Sequence, residues 1–226
     1  MMNVGLVIVS HSTRLAEGVA ELARQMAPEV RVVPAGGLPD GNIGTDFEKV
    51  SAALSDANTG AGAVVLYDLG SAQMIAELAV ESLGDPSTAL VVDAPLVEGA
   101  VAAAVAAQGG GDMRGVAAAA EAAAAGGELV EPGEPTAADE VREELELANE
   151  VGLHARPAAL LARSLNGLQA NVTISLGDKE ADGASVLGVM GLGARKGDRI
   201  VLRANGPDAR QAVERILDLA KRNFDE

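Results

Sequence analysis

The sequence predicts an α/β domain built on a parallel sheet, followed by a smaller α+β domain. Three observations support this fold class. In the first part of the 226-residue chain, short apolar runs alternate with segments whose apolar residues have helical spacing. A segment rich in Gly, Pro and acidic residues then interrupts the pattern. Beyond it, stretches of alternating polarity are separated by short helical patterns, which is typical of a compact α+β unit.

Residues 1–125 are predicted to form the first domain. Its buried strands are indicated by apolar runs at 4–9, 30–34, 62–67 and 89–92. A helix after the first strand is indicated by apolar residues at helical spacing: Leu15, Val19, Leu22 and Met26. Strands that alternate with helices pair in parallel through right-handed crossovers, and ligand sites in such sheets lie beyond the carboxyl ends of the strands.

Polar residues follow these strands at the edge where a ligand is expected. His11 comes directly after the first strand, Asp68 after the third, and Pro95 after the fourth. A hydrogen bond from one ring nitrogen of His11 to Asp68 would leave the other nitrogen free to attack phosphorus. The loop that contains Thr45 and the turn that contains Ser71 would add donors for a phosphoryl group. The simpler alternatives are that His11 caps the next helix and that Asp68 is a turn residue.

The composition changes sharply at residues 126–142. This segment is rich in Gly and Pro and carries like charges, so it is predicted to be a flexible acidic linker. The 6 basic and 20 acidic residues up to Arg142 give a net charge of −14, whereas the 11 and 13 from Glu143 onward give −2. Such an acidic surface repels a phosphate backbone, so nucleic acid is not expected as a partner.

Residues 143–226 are predicted to form the second domain. Its strands are indicated at 145–147, 171–176, 199–203 and, more weakly, 179–181. Its helices are indicated at about 156–166, at 186–192, and from Pro207 onward. The last helix is predicted to bury one apolar face: Val213, Ile216, Leu217 and Ala220.

The other histidine of the chain lies at a predicted helix start in this second domain. His154 precedes Arg156 and Pro157, and proline suits the first turn of a helix because it has no amide hydrogen to leave unpaired. The exposed amides of that turn carry partial positive charge, and Arg156 adds a fork of donors that matches phosphate. The sequence therefore predicts one phosphate-binding histidine in each domain, an arrangement that suits a relay.

The segments 152–158 (GLHARPA) and 185–192 (SVLGVMGL) resemble HPr, the histidine phosphocarrier of the sugar phosphotransferase system. The resemblance covers about 143–226 and implies an open-faced sandwich. It also implies that His154 takes phosphate from enzyme I on Nδ1, with Arg156 stabilising the group. Ser185 stands where many HPr proteins carry a regulatory serine, although Ala184 replaces the usual basic neighbour. A helix N-cap is the structural alternative for Ser185.

The first domain resembles the mannose-type IIA domain, and more closely that of the phosphotransferase subunits of dihydroxyacetone kinases. The resemblance rests on residues 6–12, 41–46, 68–72 and 94–100. It implies that His11 is phosphorylated on Nε2 with Asp68 as its partner, and that the domain forms a homodimer. It further implies transfer from His11 to ADP in a DhaL subunit, for phosphorylation of dihydroxyacetone held in DhaK. Some relatives add an enzyme-I-like domain, which does not follow here, so a separate enzyme I is the expected donor.

Composition limits the remaining classes. The chain has no cysteine, which excludes disulfides and cysteine-ligated metals, and no apolar stretch approaches the roughly 20 residues of a membrane span. We therefore expect a cytoplasmic protein that uses no metal and no cofactor. A phosphocarrier for mannose-family sugar transport and a purely regulatory phosphoprotein remain as alternatives. A serine hydrolase is disfavoured because Ser10 and Ser12 flank His11 without a Gly-x-Ser-x-Gly elbow.

Overall fold

The structure is a computed structural model that describes residues 2–125 and 140–225. The chain divides into two compact units, Met1–Ala125 and Gly126–Glu226. Of the predicted linker, residues 126–139 lie outside the described residues. The first strand of the second unit begins at Val141, two residues before the expected start of the second domain. No helix in the described ranges is long and apolar enough to cross a bilayer.

The first unit is a three-layer α/β/α structure around a four-stranded parallel sheet in the order β2-β1-β3-β4. Helices cover both faces of the sheet. In chain order its elements are β1 (Gly5–Ser10), α1 (Thr13–Met26), β2 (Val32–Gly36), α2 (Phe47–Ala57), β3 (Ala63–Tyr67), α3 (Gly70–Glu81), β4 (Ala89–Val92), α4 (Leu96–Gln108) and α5 (Met113–Ala122).

The central strands β1 and β3 are buried along their whole length, which explains why each reads as a continuous apolar run. Successive side chains of β1 point to opposite faces of the sheet. Leu6 and Ile8 pack with the helices α1, α4 and α5, whereas Val7 and Val9 pack with α2 and α3. This double burial fixes the register of β1 and therefore the place where the chain leaves the sheet at His11.

The buried face of α1 consists mostly of small side chains. Of the four residues whose spacing indicated this helix, Val19 and Met26 are buried, whereas Leu15 and Leu22 are 42% and 38% exposed. Alanines fill the rest of the buried face: Ala16, Ala20 and Ala23. Helix α4 is also rich in buried alanine, and small side chains on both helices let their axes approach closely. The larger leucines therefore turn outward. The second strand is also shifted, to Val32–Gly36 instead of 30–34.

The second unit has a four-stranded antiparallel sheet in the order β5-β8-β6-β7. Side chains alternate between buried and more exposed along β8, with the apolar side facing the helices. Helix α8 packs against three of the four strands, as an open-faced sandwich requires. Its elements are β5 (Val141–Glu146), α6 (Ala155–Ser164), β6 (Asn171–Leu176), β7 (Lys179–Asp182), α7 (Val186–Gly191), β8 (Arg199–Asn205) and α8 (Ala209–Lys221).

The start of α8 corrects another expectation. Pro207 does not open the helix, which begins two residues later at Ala209. The carboxylate of Asp208 accepts a hydrogen bond of 2.8 Å from the backbone amide of Gln169, and this contact holds the preceding residues in a turn. On the helix itself Val213 and Ile216 are buried as expected. Leu219 completes the buried face, whereas the predicted Leu217 and Ala220 are only partly buried.

Candidate functional site

The first candidate site lies where β1 and β3 end side by side. His11 Nδ1 is 2.9 Å from Asp68 Oδ1, and the backbone amide of His11 donates to Asp68 Oδ2 at 2.9 Å. The hydroxyl of Ser10 also donates to Oδ2, at 2.8 Å. Both carboxylate oxygens are therefore engaged, and the imidazole is held by its ring and by its own backbone. The side chains of His11 and Asp68 are 20% and 13% exposed, so the pair is accessible from one side.

Asp68 is charged because its hydrogen bonds outweigh its burial. Burial raises the pKa of this carboxyl, but the backbone and ring donors of His11 and the hydroxyl of Ser10 lower it further than burial raises it. The net pKa of Asp68 is below its usual value. An ionised carboxylate only accepts hydrogen bonds, so Nδ1 of His11 carries a hydrogen. In the neutral ring this tautomer leaves the lone pair on Nε2.

The free nitrogen of His11 faces the start of α3. Nε2 lies 2.7 Å from the hydroxyl oxygen of Ser71, which is the donor in this tautomer. Helix α3 begins at Gly70, and no side chain caps its first turn. The backbone amides of Gly70 and Ser71 have no hydrogen-bond acceptor within the helix, because they belong to its first turn. They therefore carry partial positive charge at the place where Nε2 points. This arrangement suits a phosphoryl group on Nε2.

The loop between β2 and α2 supports the main chain of His11. The amide of Gly44 donates to the carbonyl of His11 at 2.9 Å. Thr45 follows in this loop and is partly buried. Pro95 lies elsewhere, directly before α4, and its carbonyl accepts a hydrogen bond of 2.7 Å from the amide of Gly99. The structure brings His11, Asp68 and Ser71 into contact. Among the described residues, Thr45 and Pro95 do not hydrogen-bond to His11, although they were predicted to support the same site.

The second candidate site is at the start of α6. His154 is exposed, has an extended backbone (φ −72°, ψ −179°) and occupies the N-cap position, but its side chain makes no capping bond. The preceding turn requires Gly152, which has φ +64° and lies so close to Ala194 that a Cβ atom would be 2.2 Å from its carbonyl oxygen. Leu153 anchors the turn by donating to the same carbonyl at 2.9 Å. The ring of His154 is thus presented to solvent beside free helix amides.

Arg156 lies in the first turn of α6 together with Pro157. Its side chain is exposed, and Nη2 donates to the carbonyl of Asp225 at 3.2 Å. Within the described ranges Arg156 does not hydrogen-bond to His154. A guanidinium has five N–H donors, so this one contact leaves most of the fork available to a phosphate. The predicted helix start and the predicted cation are therefore both present next to His154.

Ser185 occupies the N-cap of α7. Its hydroxyl accepts a hydrogen bond of 3.1 Å from the amide of Gly188, which is the geometry of a helix cap. Two other contacts were not predicted from the sequence. The hydroxyl of Ser10 donates to Asp68, and Ser10 is fully buried. The one sequence signal for this contact is a serine at the end of the apolar run that forms β1. Lys49 contacts the β2–α2 loop, and no motif in the sequence indicates this contact.

Comparison with known proteins assigns each unit to a domain class. A family model described as the PTS system fructose IIA component (EIIA-man) matches residues 5–117. A second, described as the PTS HPr component phosphorylation site, matches residues 141–222. The chain is thus a phosphotransferase-system protein in which an EIIA-type domain precedes an HPr-type domain.

Two related proteins of known role identify the family. The phosphoryl donor subunit DhaM of the PEP-dependent dihydroxyacetone kinase of Providencia stuartii is 35% identical over 98% of this chain and 50% of its own length. The corresponding subunit DhaM of kinase 1 of Listeria innocua is 41% identical over 46% of this chain and 82% of its own length. The chain belongs to this DhaM family of phosphoryl donor subunits. It spans about half the length of the relatives that it matches from end to end.

A solved structure supports the fold of the first unit. The crystal structure of EF1359, a protein of unknown function, is 33% identical and aligns with a TM-score of 0.50. The alignment covers 54% of this chain and 95% of that one.

Proposed function

We propose that this chain is a cytoplasmic phosphohistidine carrier for a dihydroxyacetone kinase. In this proposal enzyme I, phosphorylated by phosphoenolpyruvate, transfers the phosphoryl group to His154. His154 passes it to His11, and His11 passes it to ADP bound in a DhaL subunit. The ATP so formed phosphorylates dihydroxyacetone held in DhaK. The observation that carries the proposal is the His11 ring, which Asp68 orients so that Nε2 points at the N-terminus of α3.

The chemistry at His11 follows from that orientation. The lone pair of Nε2 attacks phosphorus, and the N–P bond to the donor histidine breaks as the new N–P bond forms. The phosphorylated ring carries positive charge, which the Asp68 carboxylate compensates at Nδ1. The hydroxyl of Ser71 has to leave Nε2 before attack, and it then lies close enough to donate to a phosphoryl oxygen. Positioning and charge compensation are the main requirements for such a transfer.

The entry site at His154 differs from His11 in exposure. His154 has no carboxylate partner in the described residues and is open to solvent, which suits repeated docking against different proteins. Phosphate on this ring would be stabilised by the α6 amides and by the free donors of Arg156.

The proposal includes a linker and a homodimer. The predicted acidic linker, which ends where β5 begins at Val141, would keep the two histidines of one chain at high effective concentration. The homodimer would form through the first domain. In support of it, α3 carries two large apolar side chains on its exposed surface, Met74 and Leu78, which are 64% and 52% exposed. Exposed apolar side chains at adjacent helical positions are typical of a surface that a partner covers.

Reconstitution tests the proposed function. Purified chain is mixed with enzyme I, phosphoenolpyruvate, DhaK, DhaL and ADP, and dihydroxyacetone phosphate is measured. We expect product only when the chain and enzyme I are both present. Phosphorylation of the chain without product would instead favour a regulatory phosphoprotein. Transfer of label to a sugar-transport component, again without dihydroxyacetone phosphate, would favour a role in mannose-family transport.

A further inference from the structure

Lys49 makes an unusual set of contacts near the first site. It lies in the first turn of α2 and is partly buried, and its ammonium group reaches back to the end of β2. Nζ donates to three consecutive carbonyls: Gly36 at 3.3 Å, Gly37 at 3.1 Å and Leu38 at 3.0 Å. An ammonium group has three N–H donors and no acceptor, so these carbonyls use its full capacity. In the described residues Lys49 forms no ion pair.

The segment that Lys49 holds is joined directly to the His11 backbone. The amide of Gly37 donates to the carbonyl of Ser10 at 3.1 Å, and the amide of Gly44 donates to the carbonyl of His11 at 2.9 Å. Gly37 adopts φ +68°, and a Cβ atom there would be 2.2 Å from the hydroxyl of Thr13. The β2–α2 loop therefore packs against the chain on both sides of His11, and Lys49 fixes the end at which the loop begins.

A cation or a set of hydrogen-bond donors is needed between these three carbonyl oxygens. Three successive carbonyl oxygens that converge on one position repel one another unless a positive charge or several donors lie between them. Without Lys49 the carbonyl of Gly37 would lose its donor, while the carbonyls of Gly36 and Leu38 would keep only Thr13 Oγ1 and the amide of Gly41. The peptide group of Gly37 would then rotate toward solvent to find a new donor. That rotation would displace the amide of Gly37 and, through the loop, the amide of Gly44, which are two of the contacts that hold the main chain of Ser10 and His11.

We infer that Lys49 is a positioning residue for phosphoryl transfer at His11. It acts through the β2–α2 loop, which keeps the His11 main chain in place so that Nε2 faces the start of α3. The inference rests on the proposed function of His11. It does not require Lys49 to touch the phosphoryl group, since all three of its donors are already occupied.

The test uses the full chain with enzyme I and phosphoenolpyruvate. Lys49→Met removes the donors and the charge at similar length, and Lys49→Arg restores both. Arg114→Met is the matched control, because it removes one positive charge from an exposed position on α5 of the same domain. Acid-labile label on His11 is separated from label on His154 by peptide mapping. The ³¹P resonance of phosphorylated His11 reports the surroundings of the phosphoryl group.

We expect Lys49→Met to slow labelling of His11 by about 10- to 100-fold, since a misplacement of about 1 Å can cost about 100-fold in rate. Labelling of His154 should not change, the ³¹P resonance should shift, and Lys49→Arg should recover part of the rate. Arg114→Met should behave as wild type. The inference is wrong if Lys49→Met labels His11 at the wild-type rate, or if Arg114→Met slows labelling equally. If wild-type His11 takes no label at all, the proposed function itself has failed.

A measurement on the wild type covers the case in which Lys49→Met does not fold. The ammonium protons of Lys49 should exchange slowly with water, and the ¹⁵N resonance of Nζ should shift when His11 is phosphorylated. Rapidly exchanging protons together with an unchanged resonance would overturn the inference without any variant.

Discussion

Asp68 binds His11 twice, through the ring at Oδ1 and through the backbone amide at Oδ2, each at 2.9 Å. A carboxylate that holds only the ring would fix the tautomer but leave the ring free to move with its backbone. The second contact ties the main chain of His11 to the end of β3, so the imidazole is oriented relative to the whole sheet. Ser10 contributes a third hydrogen bond to the same carboxylate.

We predict that Asp68→Asn slows phosphoryl transfer to His11 about 10- to 100-fold, the usual effect of losing a partner that orients an imidazole. The amide is nearly isosteric, so near-UV circular dichroism and the oligomeric state should not change. Rates of His11 labelling, measured with phosphorylated His154 in the same chain, provide the test. An Asp68→Asn protein that takes label at the wild-type rate would contradict the role given to Asp68.

The lowered pKa of Asp68 predicts an acid-sensitive contribution to stability. A carboxyl whose folded pKa lies below its unfolded value of 3.8 stabilises the fold above that value and loses this contribution as pH falls through the folded pKa. The gap in the free energy of unfolding between wild type and Asp68→Asn should therefore shrink as the pH falls below about 4. Urea unfolding at a series of pH values measures this gap. A gap that keeps widening below about pH 4 would refute the assignment.

Ser71→Ala should affect two properties of His11 differently: the rate at which it accepts the phosphoryl group and the resistance of phosphorylated His11 to hydrolysis. The hydroxyl donates to Nε2 in the unphosphorylated state, so its removal frees the nucleophile and should not slow acceptance more than a few-fold. Hydrogen bonds to charged groups are worth about 1.5–3 kcal/mol, so phosphorylated His11 should lose label about tenfold faster in the variant. Hydrolysis rates measure this effect. Ser55→Ala, on the exposed side of α2, is the control and should leave the label as stable as in wild type.

The contact between His11 and Asp68 was predictable because it depends on topology more than on packing. Continuous apolar runs identified β1 and β3, and parallel pairing brings the residues that follow them to one edge of the sheet. His11 and Asp68 therefore meet although 57 residues separate them. The local sequence around His154 was equally informative, since Pro157 and Arg156 mark a helix start with a cation beside it.

Packing and single long-range contacts were not predictable in the same way. Leu15 and Ala16 both fit a helical pattern, and only the alanine-rich partner α4 decides that the alanine faces inward. Pro207 is compatible with a helix start, but the hydrogen bond from Gln169 to Asp208 moves that start along the chain. Lys49 gave no signal because its three acceptors are backbone atoms, which any sequence supplies.

The proposed order of transfer, from His154 to His11, predicts different labelling patterns for the two histidine variants. With enzyme I and labelled phosphoenolpyruvate, His154→Ala should take no label at either site, because enzyme I is expected to recognise only the HPr-type domain. His11→Ala should still take label at His154 but should form no dihydroxyacetone phosphate with DhaK and DhaL. Peptide mapping and product assay distinguish these outcomes. Kinase turnover sustained by His11→Ala would mean that the ordered relay is wrong.

The end of the second domain stores backbone strain that a glycine should relieve. Asn223, Phe224 and Asp225 have φ of 51°, 53° and 54°, and left-handed conformations cost about 1–2 kcal/mol per residue. Burial of Phe224, which is 1% exposed, offsets this strain. We predict that Asn223→Gly raises the unfolding free energy by up to about 1 kcal/mol. Asn205→Gly, in strand β8, should lower it instead, because glycine weakens a strand.

Thermal and urea unfolding of the two glycine variants tests the source of that strain. Phe224→Ala is the complementary change. Truncating a buried phenylalanine costs about 3–5 kcal/mol when the site cannot relax, but here the turn can relax out of its left-handed conformation. The loss should therefore fall below that range, and the contact between Arg156 and the carbonyl of Asp225 should be lost with it. If Asn223→Gly destabilises as much as Asn205→Gly, the turn is not strained.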